Sequence, residues 1–187
     1  MGKPPPAARA AHDTLFRLYF YTMNEQFGLG LTMKIGIIVY SQTGNTLSVA
    51  KNIQKRLNTK GHTVSLERIE TVEQPGKNPS LQPLKNTPDP TRYDAVIFGS
   101  PVHAFSLCRA TRAYMDQLPS MKGKKTAVYV TKGLKSKWTG GNKAIRIMKK
   151  GCEARGAEVL GTGMVFWKDG YREQSIKEVV DRMASLF

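Results

Sequence analysis

Residues 35–46 read Ile35-Gly36-Ile37-Ile38-Val39-Tyr40-Ser41-Gln42-Thr43-Gly44-Asn45-Thr46. An apolar run passes directly into a polar turn. The apolar part predicts a buried strand over 34–40. Beyond the turn, Leu47, Val49, Ala50, Ile53 and Leu57 recur at helical spacing and predict a helix over 45–59. A short hydroxyl-rich turn therefore joins the end of a strand to the start of a helix. Unpaired backbone N–H groups and the positive end of the helix dipole converge at such a place. Gly44 carries no Cβ, so a ligand can approach the backbone closely. Ser41, Gln42, Thr43, Asn45 and Thr46 surround it with polar side chains, and the turn holds no Lys or Arg. The pattern fits a monoester phosphate held by neutral donors. The plainer reading is a strand-to-helix turn with a Thr or Asn cap.

Two better-known phosphate turns are excluded. A nucleoside triphosphate loop needs Gly-x-x-x-x-Gly-Lys-Ser/Thr, which is missing. A dinucleotide fingerprint needs three spaced glycines, and only Gly44 is available here. The hexapeptide Ser41–Thr46 resembles instead the flavodoxin phosphate loop, Ser/Thr-x-Thr-Gly-Asn-Thr.

Outward from this stretch the chain alternates strand and helix patterns. Strands are predicted at 34–40, 62–69, 93–99, 125–131 and 158–166, and helices at 45–59, 109–118, 141–155 and 172–186. Such alternation predicts an α/β fold, a parallel sheet with helices on both faces. Right-handed crossovers restrict it to a doubly wound five-stranded sheet in the order 2-1-3-4-5. Residues 70–92 break the rhythm. Pro75, Pro79, Pro83, Pro88 and Pro90 forbid a continuous helix there, so this crossover is expected to be irregular. Residues 1–32 differ from the rest, with Pro4-Pro5-Pro6 and an aromatic stretch interrupted by Arg17. The domain is expected to span 33–187, with 1–32 an extension outside the fold. The alternative is an aromatic helix docking on the domain or on a partner.

In a doubly wound sheet, ligands bind beyond the C-terminal strand ends, where the strand order reverses. Three turns should meet there. The first is Ser41–Thr46. The second follows the third strand and contains Ser100, Pro101, Val102, His103, Ala104 and Phe105. The third follows the fourth strand and contains Thr131, Lys132, Gly133 and Trp138. His103, Phe105 and Trp138 offer planar walls for a flat ring. Taken singly, Phe105 reads equally well as core, His103 as a surface histidine and Trp138 as a helix cap. Their convergence with the phosphate turn makes the case.

Composition bounds the alternatives. A chain of 187 residues with 40% apolar content suits one globular domain. No apolar run approaches the roughly 20 residues of a membrane span, so no membrane role is expected. Cys108 and Cys152 form neither a disulfide framework nor a redox pair, which suits a reducing cytoplasm. His12, His62 and His103 share no metal-ligand spacing, and no metal site is expected. The net charge is +15, from 29 Lys+Arg against 14 Asp+Glu. Residues 1–32 account for +1 of it and residues 33–187 for the other +14. Such a field favours acidic partners, anionic small molecules or nucleic acid.

Residues 33–187 as a whole resemble a short-chain flavodoxin. Gly99-Ser100-Pro101 and the turn Thr131-Lys132-Gly133 join the phosphate loop in carrying that resemblance. It implies one non-covalent flavin mononucleotide, FMN. Its phosphate would lie on Ser41, Thr43, Gly44, Asn45 and Thr46, with its ring flanked by residues 100–107 and 131–138. The implied role is electron transfer between redox proteins, here with acidic docking surfaces, and no residue is assigned a catalytic step. This chain departs from the family in three ways. It has His103 and Phe105 where Trp or Tyr often meets the ring. It has no Gly in residues 100–108 to ease a peptide flip. It is basic where flavodoxins are usually acidic. An NAD(P)H-dependent quinone reductase is the alternative, with Arg109, Lys132, Lys135 and Lys137 available for cofactor phosphates. A flavin-free nucleic-acid-binding module is the alternative of a different class. The lysine-rich stretch 122–150 motivates it, but a solvated helix face explains most of those charges and no nucleic-acid motif accompanies them.

Overall fold

Strand β1, Lys34–Val39, is buried on both faces from Ile35 onward. That is the signature of an interior strand in a parallel sheet. The computed structural model describes residues 32–72, 83–133, 140–168 and 170–187. Residues Met33–Phe187 form one compact unit. The other strands are β2 (Thr63–Arg68), β3 (Ala95–His103), β4 (Ser106–Leu107), β5 (Lys125–Lys132) and β6 (Glu158–Phe166). The helices are α1 (Asn45–Thr59), α2 (Arg109–Asp116), α3 (Gly141–Ala154) and α4 (Arg172–Ser185).

The sheet runs β2-β1-β3-β5-β6, all parallel, and β4 pairs antiparallel with β3 outside that series. The five parallel strands thus take the expected doubly wound order. Side-chain alternation divides the core into two layers. Ile38, Val96, Phe98, Val128 and Val130 face α2 and α3, where they meet Tyr114, Met115, Met148 and Cys152. Ile35, Ile37, Val39, Ile97 and Tyr129 face α1 and α4, where they meet Val49, Ile53, Leu57, Val179 and Met183. The helices present these residues at spacings of three and four, so each buries one stripe.

Two stretches differ from the sequence reading. Strand β3 runs on through Ser100, Pro101, Val102 and His103, which were expected in a loop. Pairing with β5 continues as far as Pro101 opposite Thr131. The chain then folds back, with Val102 opposite Leu107 and His103 opposite Ser106. This hairpin satisfies backbone groups that a loop would leave open. In the proline-rich crossover, the described residues hold a bridge between Thr71 and Leu84 and a 3-10 turn at Pro90–Arg92. The Asp89 carboxylate caps that turn, accepting from the Thr91 N–H at 2.9 Å and its hydroxyl at 2.7 Å. Both bonds favour the charged form and hold Asp89 below the usual carboxylate range. Residues 1–31, residues 73–82 and the segment 134–139, with Lys135, Lys137 and Trp138, lie outside the described residues.

Candidate functional site

The polar turn sits where the strand order reverses. β1 leads to α1 on one face and β3 leads to α2 on the other, so a crevice opens between their C-terminal ends. The Tyr40 N–H donates to the Gly99 carbonyl at 3.1 Å and ties the two strand ends together.

Gly44 is the cap residue that precedes helix α1, and its φ of 87° places it in the left-handed region. A side chain there would be strained, and the space where its Cβ would lie is empty to 4 Å. The turn is therefore a cradle that glycine leaves open. The Ser41 hydroxyl accepts from the Leu47 N–H at 3.2 Å and satisfies one of the orphan donors of the first helical turn. Among the described residues, the N–H groups of Thr43, Gly44, Asn45 and Thr46 find no acceptor. The first turn of α1 has no acidic residue. Several converging donors with no carboxylate beside them are the chemistry an anionic oxygen cluster requires. Gln42, Thr43 and Gly44 are exposed, so the cradle is open to solvent.

Thr46 behaves differently. It is 1% exposed, and its hydroxyl lies 2.8 Å from the Thr131 hydroxyl. The Thr46 carbonyl accepts from the Tyr129 hydroxyl, also at 2.8 Å. Tyr129 is wholly enclosed. Desolvation pushes its ionisation far up, so it is a neutral donor. Strand β5 thus holds the cradle from behind at two points. Thr46 and Thr131 act as braces between the first and third turns.

The second turn is the β3–β4 hairpin. Its two tip residues, Ala104 and Phe105, have φ of 45° and 59°. Two residues of positive φ make the tight hairpin connection that matches strand twist. Neither is glycine, so the tip stores strain of about 1–2 kcal/mol per residue. The tip packs against Gly140, where α3 begins. A Cβ on Gly140 would lie 2.0 Å from the Phe105 carbonyl oxygen. Phe105 is 69% exposed and stands as an aromatic face in solvent, not as core. His103 is exposed beside it, and partial desolvation holds its imidazole below the ordinary histidine value. Ser100 turns inward. It is fully buried, with its hydroxyl 2.8 Å from that of Thr111. Pro101 and Val102 are half-buried, and Val102 packs on the core.

In the third turn, Lys132 is 7% exposed and its ammonium lies 5.2 Å from the centre of the Phe166 ring. Expected as a basic group at the edge of the site, it is a buried end of β5. Gly133 is fixed to the end of β6, its carbonyl accepting from the Lys168 N–H at 2.8 Å. Trp138 lies outside the described residues. Among the described residues, no cluster of His, Cys, Asp and Glu is arranged to hold a metal. Among the described residues, no helix is long and apolar enough to cross a membrane.

The family model for flavodoxin matches residues 37–178, from β1 into α4. The chain belongs to the flavodoxin family. No curated protein matches it. Solved flavodoxins share its fold at low identity. Flavodoxin 2 from Bacillus cereus is 23% identical, covering 82% of this chain and 99% of its own, with a TM-score of 0.60. Two-electron reduced flavodoxin from Megasphaera elsdenii is 22% identical over 81% and 98%, with a TM-score of 0.59. A Lactobacillus acidophilus flavoprotein solved in complex with FMN is 18% identical over 77% and 99%, with a TM-score of 0.54.

Three residues of this flavodoxin site escaped the sequence reading. Tyr129 was counted only as a strand residue, although a phenol within Ala127-Val128-Tyr129-Val130 needs a buried acceptor. Gly140 is not among the expected site residues, although a Gly-Gly pair at a helix start signals a close backbone approach. Arg68 ends β2, and its guanidinium donates to the Ser41 carbonyl at 3.3 Å. Nothing in the linear sequence near the turn points to it.

Proposed function

We propose that this flavodoxin binds FMN non-covalently and carries electrons between redox proteins. The single observation behind this reading is the cradle at Ser41–Thr46, with its outward N–H groups and the open space over Gly44. Its donor set fits a phosphate monoester. The Ser41 and Thr46 hydroxyls and Tyr129 of β5 hold the shape of the cradle. The neighbouring hairpin offers Val102, His103, Ala104 and Phe105 to a planar ring. When bound, FMN supplies one- or two-electron redox chemistry. The cradle would hold it by its phosphate, with the β3–β4 hairpin beside its ring. The +14 carried by residues 33–187 favours partners with acidic docking surfaces.

Purification followed by visible absorption tests the first step. A yellow protein that releases FMN on denaturation is expected. A colourless protein that FMN does not stain, and that shifts DNA in a salt-dependent way, would overturn it. NAD(P)H oxidation with a quinone tests the second step. A carrier turns over slowly unless a separate reductase is added. Rapid turnover by the purified protein alone would make it a reductase.

A further inference from the structure

Arg68 is the last residue of β2, paired with Val39 at the end of β1. That register sets it beside the start of the cradle. Its backbone is held from both sides. The Ile69 N–H donates to the Val39 carbonyl at 2.8 Å. On the other side, the Asn86 amide donates to the Arg68 carbonyl at 2.9 Å, and its oxygen accepts from the Glu70 N–H at 2.7 Å. The guanidinium then reaches across to the Ser41 carbonyl. No carboxylate takes its charge among the described residues. The two nearest in sequence are engaged elsewhere. Glu67 accepts from the Tyr93 hydroxyl, and Glu70 pairs with Lys85 at 3.4 Å. An exposed cation with no ion-pair partner among the described residues, tethered by one hydrogen bond to the Ser41 carbonyl, therefore stands at the rim of a nest of neutral donors.

We infer that the Arg68 guanidinium compensates the charge of the bound phosphate, a role that rests on the flavin reading above. The six residues of the turn provide hydrogen bonds but no charge. A phosphate monoester brings nearly two negative charges at neutral pH. Arg68 offers one opposite charge from a neighbouring strand. It thereby selects the phosphorylated flavin over riboflavin, which has the same ring and no phosphate.

Full-length apoprotein, as wild type, Arg68→Gln and Arg68→Lys, is titrated with FMN and with riboflavin, read by flavin fluorescence. Arg68→Gln should weaken FMN about tenfold, equal to about 1.4 kcal/mol. Riboflavin affinity should be unchanged, and Arg68→Lys should keep most of the FMN affinity. Wild-type affinity for FMN should rise as pH passes the second phosphate ionisation near 6, and Arg68→Gln should flatten that rise. Salt should weaken FMN binding less in Arg68→Gln than in wild type. Equal losses of FMN and riboflavin, with an unchanged pH profile, would show that Arg68 only shapes the turn through the Ser41 carbonyl. Unchanged FMN affinity overturns the role outright. A wild-type protein that binds neither flavin refutes the flavin reading itself, which is a separate result.

Discussion

Gly99→Ala tests how tightly the sheet is coupled to the cradle. A Cβ at Gly99 would lie 2.4 Å from Tyr129 Cζ and 2.5 Å from its hydroxyl oxygen. Ordinary carbon contacts are about 3.5–4.0 Å, so the ring must retreat by about 1 Å. It cannot do so freely, because Tyr129 is wholly enclosed and its hydroxyl is tied to the Thr46 carbonyl. Overpacking costs about 1–3 kcal/mol and a lost neutral hydrogen bond about 1 more. The total is about 2–4 kcal/mol, which lowers the melting temperature by about 5–15 °C in a domain of this size. Flavin affinity should fall as well, since Thr46 belongs to the cradle. Gly36→Ala is the control. It meets the Tyr93 ring at the same 2.4 Å, but on the opposite sheet face. It should destabilise to a similar degree and leave flavin affinity alone. Thermal melts of the apoproteins and FMN titrations of each variant supply both readouts. Adding Tyr129→Val to Gly99→Ala should restore part of the lost stability, a non-additive result expected of residues in contact. A Gly99→Ala protein that melts like wild type would refute the packing argument. One that melts early but binds FMN normally would refute the coupling to the cradle.

Other substitutions probe the site more locally. Gly44→Val should abolish flavin binding, because the added side chain enters the open cradle, where a Cβ meets nothing within 4 Å, and strains the left-handed turn; circular dichroism should stay native because that strain is confined to the turn, and normal FMN occupancy would count against the assignment. Thr43→Ala should weaken FMN by about 1–3 kcal/mol if its hydroxyl bonds the charged phosphate, measured by fluorescence titration against an unchanged melting temperature. Ala104→Gly should raise stability by about 1 kcal/mol by relieving a left-handed conformation, whereas Ser106→Gly, outside the tip, should not. His103 has a folded-state value below its ordinary one, so the unfolded chain takes up its proton first. Stability is then complete above about pH 6.5 and declines as pH falls through that value. Melts across this window should show the decline in wild type and a smaller one in His103→Gln.

The fold was legible because its signals are local. Ile35–Tyr40 is apolar on both faces, and α1 announces itself by Val49, Ile53 and Leu57. Neither depends on what lies across the sheet. The end of β3 was not legible for the opposite reason. Ser100-Pro101-Val102-His103 has the composition of a loop, and proline within a run usually demotes a strand. It is a strand because β5 pairs with it as far as Thr131 and because β4 folds back upon it. Both partners lie elsewhere in the chain.

The cradle shows the same division at finer scale. Its position and its open glycine follow from twelve consecutive residues, since strand, turn and helix dictate where N–H groups point. The tasks of its side chains do not follow. Thr46 has the hydroxyl a phosphate donor requires, yet that hydroxyl is buried against Thr131, 85 residues away in sequence. Lys132 has the charge expected at the rim, yet it lies buried beside Phe166. The cation that does stand at the rim, Arg68, enters by strand register, from the position opposite Val39. The motif therefore specifies where the open cradle is. The strands on either side of it determine which side chains brace the cradle and which cation stands beside it. That separation leaves the turn itself free of charge in a strongly basic chain, because the residues that brace it and the cation beside it lie outside the motif.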